Sequence, residues 1–222
     1  MYKNGFSIIT VTNRDYCIEN MINNFLRQEF NDKELIIVIN NDKINIEDIY
    51  KYINKELNIF VYKLPEKTAL GTCLNFGVNK SNYNIIAKFD DDDYYGPYYL
   101  DEANKAFLRE GCYVLGKQKT YYYLEQYKKL ILKRVATENA YSQNLMGSTI
   151  CFKRKVFDNI DLISNSVFLI NQRFVSIWLT FSFNALYHVG PTVKIQASIR
   201  SFSSWFKPSG ISTGLKPSLT CS

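Results

Sequence analysis

The segment Asn84-Ile-Ile-Ala-Lys-Phe89 runs directly into four consecutive aspartates, Asp90 to Asp93, and Gly96-Pro97 closes the turn behind them. The apolar run predicts a buried strand, so the four carboxylates follow a strand's carboxyl end. Two carboxylates about 5 Å apart repel by roughly 3 kcal/mol at an effective dielectric constant near 20. A divalent cation removes this repulsion, because hard cations prefer oxygen ligands. The segment therefore favours a metal site over a solvated acidic turn.

Strand patterns alternate with helical patterns through the first 110 residues. Apolar runs predict strands at Phe6–Val11, Glu34–Ile39, Asn58–Tyr62 and Asn84–Phe89. Helical patterns follow these runs: apolar residues at the i, i+3, i+4, i+7 spacing of an amphipathic helix at Ile18–Phe25 and Ile46–Ile53, and apolar residues on one helix face at Leu70–Val78 and Leu100–Phe107. This alternation predicts an α/β fold with a mostly parallel sheet and helices on both faces.

Polar clusters stand where three of these strands end. They are Thr12-Asn13-Arg14, Asn40-Asn41-Asp42 and Asp90 to Asp93. Ligands of parallel α/β sheets lie beyond the carboxyl ends of the strands. We therefore expect the three clusters to meet at one edge of the sheet and to form the binding site there.

The pattern becomes weaker after residue 110. Short β-rich runs predict strands at Cys112–Leu115, Tyr121–Leu124 and Thr149–Phe152, the last one following Gly147-Ser148. The cluster of tyrosines in the second run is interpreted as packing and cross-strand pairing, because aromatic residues stabilise strands in this way.

Composition limits the possible classes of protein. The 222 residues, 46% of them apolar, suit one α/β domain with a small appendage. Net charge is +6, of which residues 162–222 supply +5 because they hold five basic and no acidic residues. This density is low for a nucleic-acid interface and no basic cluster occurs, so no nucleic-acid partner is expected.

The cysteines and the apolar segments indicate a cellular location. Five widely spaced cysteines, without any C-x-x-C pair, predict free thiols in a reducing cytosol rather than a disulfide frame or a zinc site. No signal peptide is visible at the N-terminus. The longest lipid-like stretch, 174–187, is too short and too polar to span a bilayer. We expect a cytoplasmic protein, free or peripheral at the membrane, without a transmembrane segment.

Several segments together resemble glycosyltransferase family 2, whose domains have the GT-A fold. The resemblance extends over about residues 5–160, and its matching segments, in chain order, are Ser7–Arg14, Glu34–Asp42, Leu70–Gly77, Ala87–Asp93 and Gly147–Phe152. The aspartate run with its preceding strand is the most specific of them. The resemblance implies an enzyme that transfers a sugar from a nucleotide diphosphate sugar to an acceptor hydroxyl, as in polysaccharide biosynthesis, with inversion at the anomeric carbon.

The resemblance also implies roles for individual residues. Thr12 and Asn13 would edge the nucleotide base, and Asp42 would lie near it. Asp90 would face the ribose, and Asp92 would hold a Mg²⁺ or Mn²⁺ ion that bridges the diphosphate. Asn75 would also belong to the nucleotide site. It falls where the family often has an Arg-Asn pair before a glycine, but Leu74 occupies the arginine position.

The expected general base is missing from its usual place. In the family this carboxylate lies in an acidic motif some way after the Gly-Ser-Thr strand. Here only Asp158 and Asp161 follow that strand, and residues 162–222 contain no acidic residue. Both aspartates are close to the strand, and surface or capping roles are the competing interpretation.

The chain divides by composition into residues 1–161, the nucleotide-sugar-binding domain, and residues 162–222, an atypical basic segment. At the upstream frequency of acidic residues, about eight would be expected in the second segment. A natural bias or a change of reading frame near residues 161–166 would explain their absence. The stretch Ser209–Ser222 is rich in Gly, Pro, Ser and Thr, and is expected to be disordered.

Three functions remain open at this point. The first is the metal-dependent glycosyltransferase. The second is a nucleotide-binding remnant that keeps the sheet and the aspartates but cannot catalyse because it lacks the base. The third is a phosphohydrolase with an aspartate nucleophile. It is disfavoured because the acidic run lies on the fourth strand and is followed by Tyr94-Tyr95 rather than by Ser or Thr.

Overall fold

A computed structural model describes residues 2–51, 53, 57–117, 120–133, 145–158, 185–187 and 192–194. Within these residues the strands are β1 Lys3–Thr12, β2 Lys33–Ile39, β3 Ile59–Lys63, β4 Tyr83–Lys88, β5 Val114–Gly116, β6 Thr120–Leu124, β7 Lys129–Lys133, β8 Cys151–Lys153, β9 Ala185–Tyr187 and β10 Thr192–Lys194. The α-helices are α1 Ile18–Arg27, α2 Ile46–Tyr50, α3 Leu70–Lys80, α4 Tyr99–Glu110 and α5 Lys155–Asp158.

The larger sheet has the strand order β3-β2-β1-β4-β8-β5-β9. Strands β3, β2, β1 and β4 are parallel, as the alternating sequence pattern predicts. Strand β8 is antiparallel to both of its neighbours, β4 and β5. A smaller sheet has the order β10-β6-β7. The carboxyl ends of β1, β2, β4 and β5 therefore lie at the same edge of the larger sheet.

Each central strand contributes to two hydrophobic clusters, because successive side chains point to opposite faces. Ile8 packs in the cluster that contains residues of α1 and α4, such as Phe25 and Leu100. Ile9, its neighbour, packs in the cluster that contains Leu74 of α3. Helices thus cover both faces of the sheet, which is why β1 and β2 are apolar along nearly their whole length.

Three local details are not visible in the sequence pattern. A 3-10 turn at Asp15–Cys17 precedes α1, so this helix begins at Ile18 and has no side-chain cap. A second 3-10 turn at Gly147–Thr149 delays the start of β8 to Cys151. Strand β7 was not anticipated. It pairs with β6 and places Tyr121 opposite Leu132, which confirms cross-strand pairing for the tyrosine cluster.

Gly5 occupies a position in β1 that only glycine fits. Its φ is +140°, and the pairing of β1 with β4 shifts register between Lys3 and Phe6. A Cβ atom on Gly5 would lie 2.2 Å from the carbonyl oxygen of Asp32 and 2.6 Å from Cδ1 of Tyr83. The bulge lets β1 follow both of its neighbours closely at its start.

Four cysteines lie in the packed interior and form no disulfide: Cys17, Cys73, Cys112 and Cys151. Burial raises the pKa of Cys17 and of Cys151 to about 12. Free thiols at these positions agree with the sequence prediction. In the part of the chain that the structure describes, no helix has the length and apolar character needed to cross a membrane.

Candidate functional site

The three polar clusters meet at one edge of the sheet, as the sequence predicts. The hydroxyl of Thr12 donates a hydrogen bond to Oδ2 of Asp91 over 2.6 Å, which joins the end of β1 to the aspartates after β4. The N–H of Asn40 donates to the carbonyl of Thr12 (3.1 Å), and Nδ2 of Asn41 donates to the carbonyl of Asn13 (2.8 Å). The ends of β1, β2 and β4 therefore form one continuous polar rim.

Asp91 anchors this rim. Its Oδ2 atom accepts hydrogen bonds from Thr12 and from Nε of Arg14 (3.1 Å), and its Oδ1 atom accepts one from Nη2 of Arg14 (2.5 Å). Both carboxylate oxygens thus have partners, and only 9% of the side chain is exposed. Asp93 is buried completely. These two aspartates are buried in the protein.

Asp90 and Asp92 are the more accessible members of the run, with 27% and 28% of their side chains exposed. Asp90 forms a salt bridge with Lys88, whose side chain is buried. Asp92 has Nη2 of Arg14 at 3.2 Å from its Oδ2 atom. Burial raises the pKa of Asp92, and the charge of Asp91 adds to this effect. A cation with more charge than one guanidinium would stabilise the ionised form of Asp92.

Amide side chains of α1 hold the backbone of the aspartate loop. They are spaced four residues apart, so they lie on one face of the helix. Asn20 donates to the carbonyls of Asp91 (2.8 Å) and Asp93 (3.0 Å). Asn24 donates to the carbonyl of Asp93 (2.8 Å) and accepts from the N–H of Tyr95 (3.0 Å). Gln28 continues the row and donates to the carbonyl of Gly96 over 2.9 Å.

The amide row, Asn20, Asn24 and Gln28, is not assigned a role from the sequence, although the sequence contains a pattern that indicates one. Asn24 on α1 and Gln28 at its C-terminal cap are almost fully buried, at 1% and 2% exposure, although the other buried residues of this helix are apolar. Polar side chains at i, i+4 and i+8 beside an apolar stripe indicate a backbone that needs hydrogen bonds, because buried polar groups are nearly always paired.

Replacing Asn24 with alanine should lower the free energy of unfolding by about 2 kcal/mol, because the loop loses buried hydrogen bonds and Tyr95 loses the acceptor of its N–H. Urea unfolding measures this change. Asn23→Ala is the matched control, since Asn23 is exposed on the same helix turn, and it should change stability by less than about 0.5 kcal/mol. Equal losses in the two variants would show that the amide row does not hold the loop.

An aromatic cluster packs together beside the aspartate loop and supports it. Phe89 and Tyr95 stack with their ring centroids 3.6 Å apart, and Tyr99 packs edge-on against both rings. The hydroxyl of Tyr95 accepts the N–H of Asp90 (2.8 Å) and donates to the carbonyl of Ser148 (2.6 Å). Burial raises the pKa of Tyr95 well above its usual value, so the hydroxyl keeps its proton. The Gly147–Thr149 turn is thereby fixed to the aspartate loop.

The other predicted site residues are Asp42, Asn75 and Asp158, and they lie in three different parts of the fold. Asp42 is exposed at the same edge, and its Oδ1 atom accepts the N–H of Glu66 at 3.3 Å. Asn75 is half-buried in the middle of α3. Asp158 ends α5, which directly follows β8. Because β8 runs antiparallel to β4, this helix begins at the opposite edge of the sheet, where the N–H of Arg154 donates to the carbonyl of Asn84.

The structure therefore does not bring Asp158 to the aspartate rim, and Asp161 lies outside the described residues. Within the described part of the chain, no three His, Cys, Asp or Glu side chains are grouped so that they could hold a metal by themselves. A site that works with substrate phosphates does not need three, since Mg²⁺ in such sites is usually held by one or two carboxylates, the phosphates and water. The accessible carboxylates of Asp90 and Asp92 fit that arrangement.

A parallel sheet with the central order β3-β2-β1-β4, and an acidic loop after β4, defines an open α/β sheet of the kind whose ligands lie beyond the carboxyl ends of the strands. The family model named Glycosyl transferase family 2 matches residues 7–175, which is more than half of the chain. The chain belongs to this family, as the sequence resemblance predicts. A curated relative, the O-antigen biosynthesis glycosyltransferase WbnJ of Escherichia coli, is 31% identical over 111 residues, which are 49% of this chain and 43% of WbnJ.

Solved structures agree on the fold. S. aureus TarS 1-349 in complex with UDP-GlcNAc has a TM-score of 0.64 and 16% identity, with 91% of this chain and 61% of that chain covered. The mannosyltransferase PcManGT from Pyrobaculum calidifontis, in complex with GDP-Man and Mn²⁺, has a TM-score of 0.68 and 16% identity, with 92% and 60% covered. The GT-A fold prediction is confirmed. The chain spans less than half the length of WbnJ and about three fifths of these solved chains.

Proposed function

We propose that the chain is the donor-binding part of a glycosyltransferase that uses a nucleotide diphosphate sugar and a divalent ion, Mn²⁺ or Mg²⁺. The observation that carries this proposal is the division of the aspartate run into two buried and two accessible carboxylates. Asp91 and Asp93 are buried in the protein, whereas Asp90 and Asp92 are partly exposed at the edge where ligands of such sheets lie.

The accessible residues suit the two halves of such a donor. Asp92 holds the metal ion, which neutralises charge on the diphosphate leaving group. Asp90 accepts hydrogen bonds from the ribose, and Asp42 and Asn75 belong to the nucleotide side of the site. Asn13 is exposed beside them and offers its amide to the base. Thr12 contributes indirectly, since its hydroxyl is engaged with Asp91.

The relatives support this donor class. WbnJ is named for O-antigen biosynthesis, and the two solved neighbours hold UDP-GlcNAc in one case and GDP-Man with Mn²⁺ in the other. We therefore place the chain in the biosynthesis of a polysaccharide, with a hydroxyl group of a glycan or similar molecule as acceptor. Family membership and these relatives favour the transferase over the nucleotide-binding remnant.

The acceptor half of the mechanism has no assigned base. Inverting transfer needs a carboxylate that removes the proton of the attacking hydroxyl, a contribution of typically 10²–10⁴-fold. Asp158 follows β8 at the opposite edge of the sheet. The structure thus supports a donor site, whereas inversion rests on the family resemblance alone.

Calorimetry with UDP and with GDP, each with and without Mn²⁺, tests the donor site. We expect one of the two nucleotides to bind at least about tenfold more tightly with Mn²⁺ present. Release of nucleoside diphosphate from UDP-GlcNAc and GDP-Man, with a mixed pool of glycan acceptors, then tests transfer. Affinities that do not respond to the metal would refute the role given to Asp92.

A further inference from the structure

Arg14 contacts both a buried and an accessible member of the aspartate run, Asp91 and Asp92. Its guanidinium forms a two-bond contact with Asp91, at 3.1 Å from Nε and 2.5 Å from Nη2. The same Nη2 atom is 3.2 Å from Oδ2 of Asp92. The backbone of Arg14 is also fixed, because its N–H donates to the hydroxyl of Thr12 over 3.0 Å. Arg14 is therefore held both through its guanidinium and through its backbone.

The two contacts of Arg14 differ in strength. The paired hydrogen bonds to Asp91 match the fork geometry of a guanidinium on a carboxylate, which is the strong form of this interaction. The single longer contact with Asp92 is the weaker one, and Asp92 is also the more exposed of the two partners. Arg14 can release Asp92 while it stays on Asp91.

We propose that Arg14 is the internal counter-ion of Asp92 and opposes binding of the divalent ion until a nucleoside diphosphate is present. This inference rests on the proposed function. A divalent ion at Asp92 would lie close to the guanidinium, whose Nη2 atom is 3.2 Å from Oδ2 of Asp92. Two positive charges this close repel strongly. The negative charges of a diphosphate offset this repulsion, and they offer the released Nη2 group a new acceptor.

Metal binding and nucleotide binding are then interdependent. Without Arg14 the carboxylate of Asp92 would attract a divalent ion by itself, because the charges of Asp90 and Asp91 reinforce it. With Arg14 in place, the ion binds well only together with the diphosphate. Such coupling is reciprocal, so the metal must strengthen nucleotide binding by the same factor by which the nucleotide strengthens metal binding.

The test uses Mn²⁺ alone and follows the loss of the free-ion signal by electron paramagnetic resonance. Arg14→Gln should bind Mn²⁺ about tenfold more tightly than the wild-type chain in the absence of nucleotide. Arg14→Lys keeps the positive charge and should stay within about threefold of wild type. Lys105→Gln, which removes an exposed cation paired with Asp101, is the control for net charge and should not change the affinity.

Two further comparisons distinguish the role of Arg14 from the role of Asp92. Adding Asp92→Asn to Arg14→Gln should abolish the gain, and adding UDP should narrow the difference between Arg14→Gln and wild type. If Arg14→Gln does not fold, Arg14→Met provides the same charge change. Unchanged or weaker Mn²⁺ binding in the uncharged variant, or an equal gain in Lys105→Gln, would overturn the inference alone. Mn²⁺ binding that ignores Asp92 in every variant would overturn the proposed function as well.

Discussion

Asp92→Asn should reduce Mn²⁺-dependent binding of the preferred nucleoside diphosphate by at least about tenfold, which corresponds to roughly 1.4 kcal/mol. The asparagine has nearly the same size but carries no charge, so the ion loses its accessible carboxylate ligand. Asp91 cannot replace it, because both of its oxygens are held by Thr12 and Arg14. Calorimetry with nucleotide and Mn²⁺ measures the loss.

The matched control is Asp48→Asn. Asp48 lies on α2, has 60% of its side chain exposed and forms a surface ion pair with Lys51. The substitution removes the same charge, and nucleotide affinity should stay within about twofold of wild type. A comparable loss in the two variants would mean that Asp92 acts through general electrostatics and does not hold the ion. Thermal unfolding of each variant confirms that it is folded under the conditions of the titration.

Gly5→Ala should lower the free energy of unfolding by about 3 kcal/mol or more, a large part of the total stability of an ordinary domain. Two costs combine at this position. The φ of +140° is a region that side chains rarely adopt, and the new Cβ atom would meet the carbonyl oxygen of Asp32 at 2.2 Å. The strand start must move away from β2 and β4 to relieve the clash. Urea unfolding at neutral pH measures the change.

Two other glycines separate the two costs. Gly111 follows the last residue of α4, with a φ of +60° and open space around it. Gly111→Ala should therefore lower the free energy of unfolding by only about 1 kcal/mol, through backbone strain. Gly96 has open space and no positive φ, and Gly96→Ala should be within about 0.5 kcal/mol of wild type. If Gly5→Ala costs no more than Gly111→Ala, then β1 adjusts easily and the bulge is not a fixed feature.

The sequence predicted the parallel part of the sheet because β1, β2 and β4 are buried on both faces and therefore read as continuous apolar runs. It could not predict the direction of β8, since a run of three residues pairs equally well in either direction. Strand β7, Lys129–Lys133, was missed because its short apolar centre between lysines has neither a helical nor a strand period long enough to recognise.

The location of the site was predictable, but its internal order was not. Polar residues after three parallel strands had to meet at one edge. The roles of the four aspartates, however, depend on the backbone path from Asp90 to Gly96. That path is set by hydrogen bonds from Asn20, Asn24 and Gln28, about seventy positions earlier in the chain. Contacts between such distant residues leave no periodic pattern in a sequence.

The four interior cysteines have a practical consequence, because they make unfolding visible to an alkylating reagent. Only the thiolate reacts, and a thiol with a pKa of about 12 is ionised to roughly one part in ten thousand at pH 8. Burial also raises the pKa of Cys73 and of Cys112, so labelling at the four positions requires the surrounding structure to open. In a Cys221→Ser background, the rate at Cys17 reports opening beside the aspartate loop, and the rate at Cys73 reports the detachment of α3. The chain thus contains local probes of its own fluctuations, each readable by mass spectrometry.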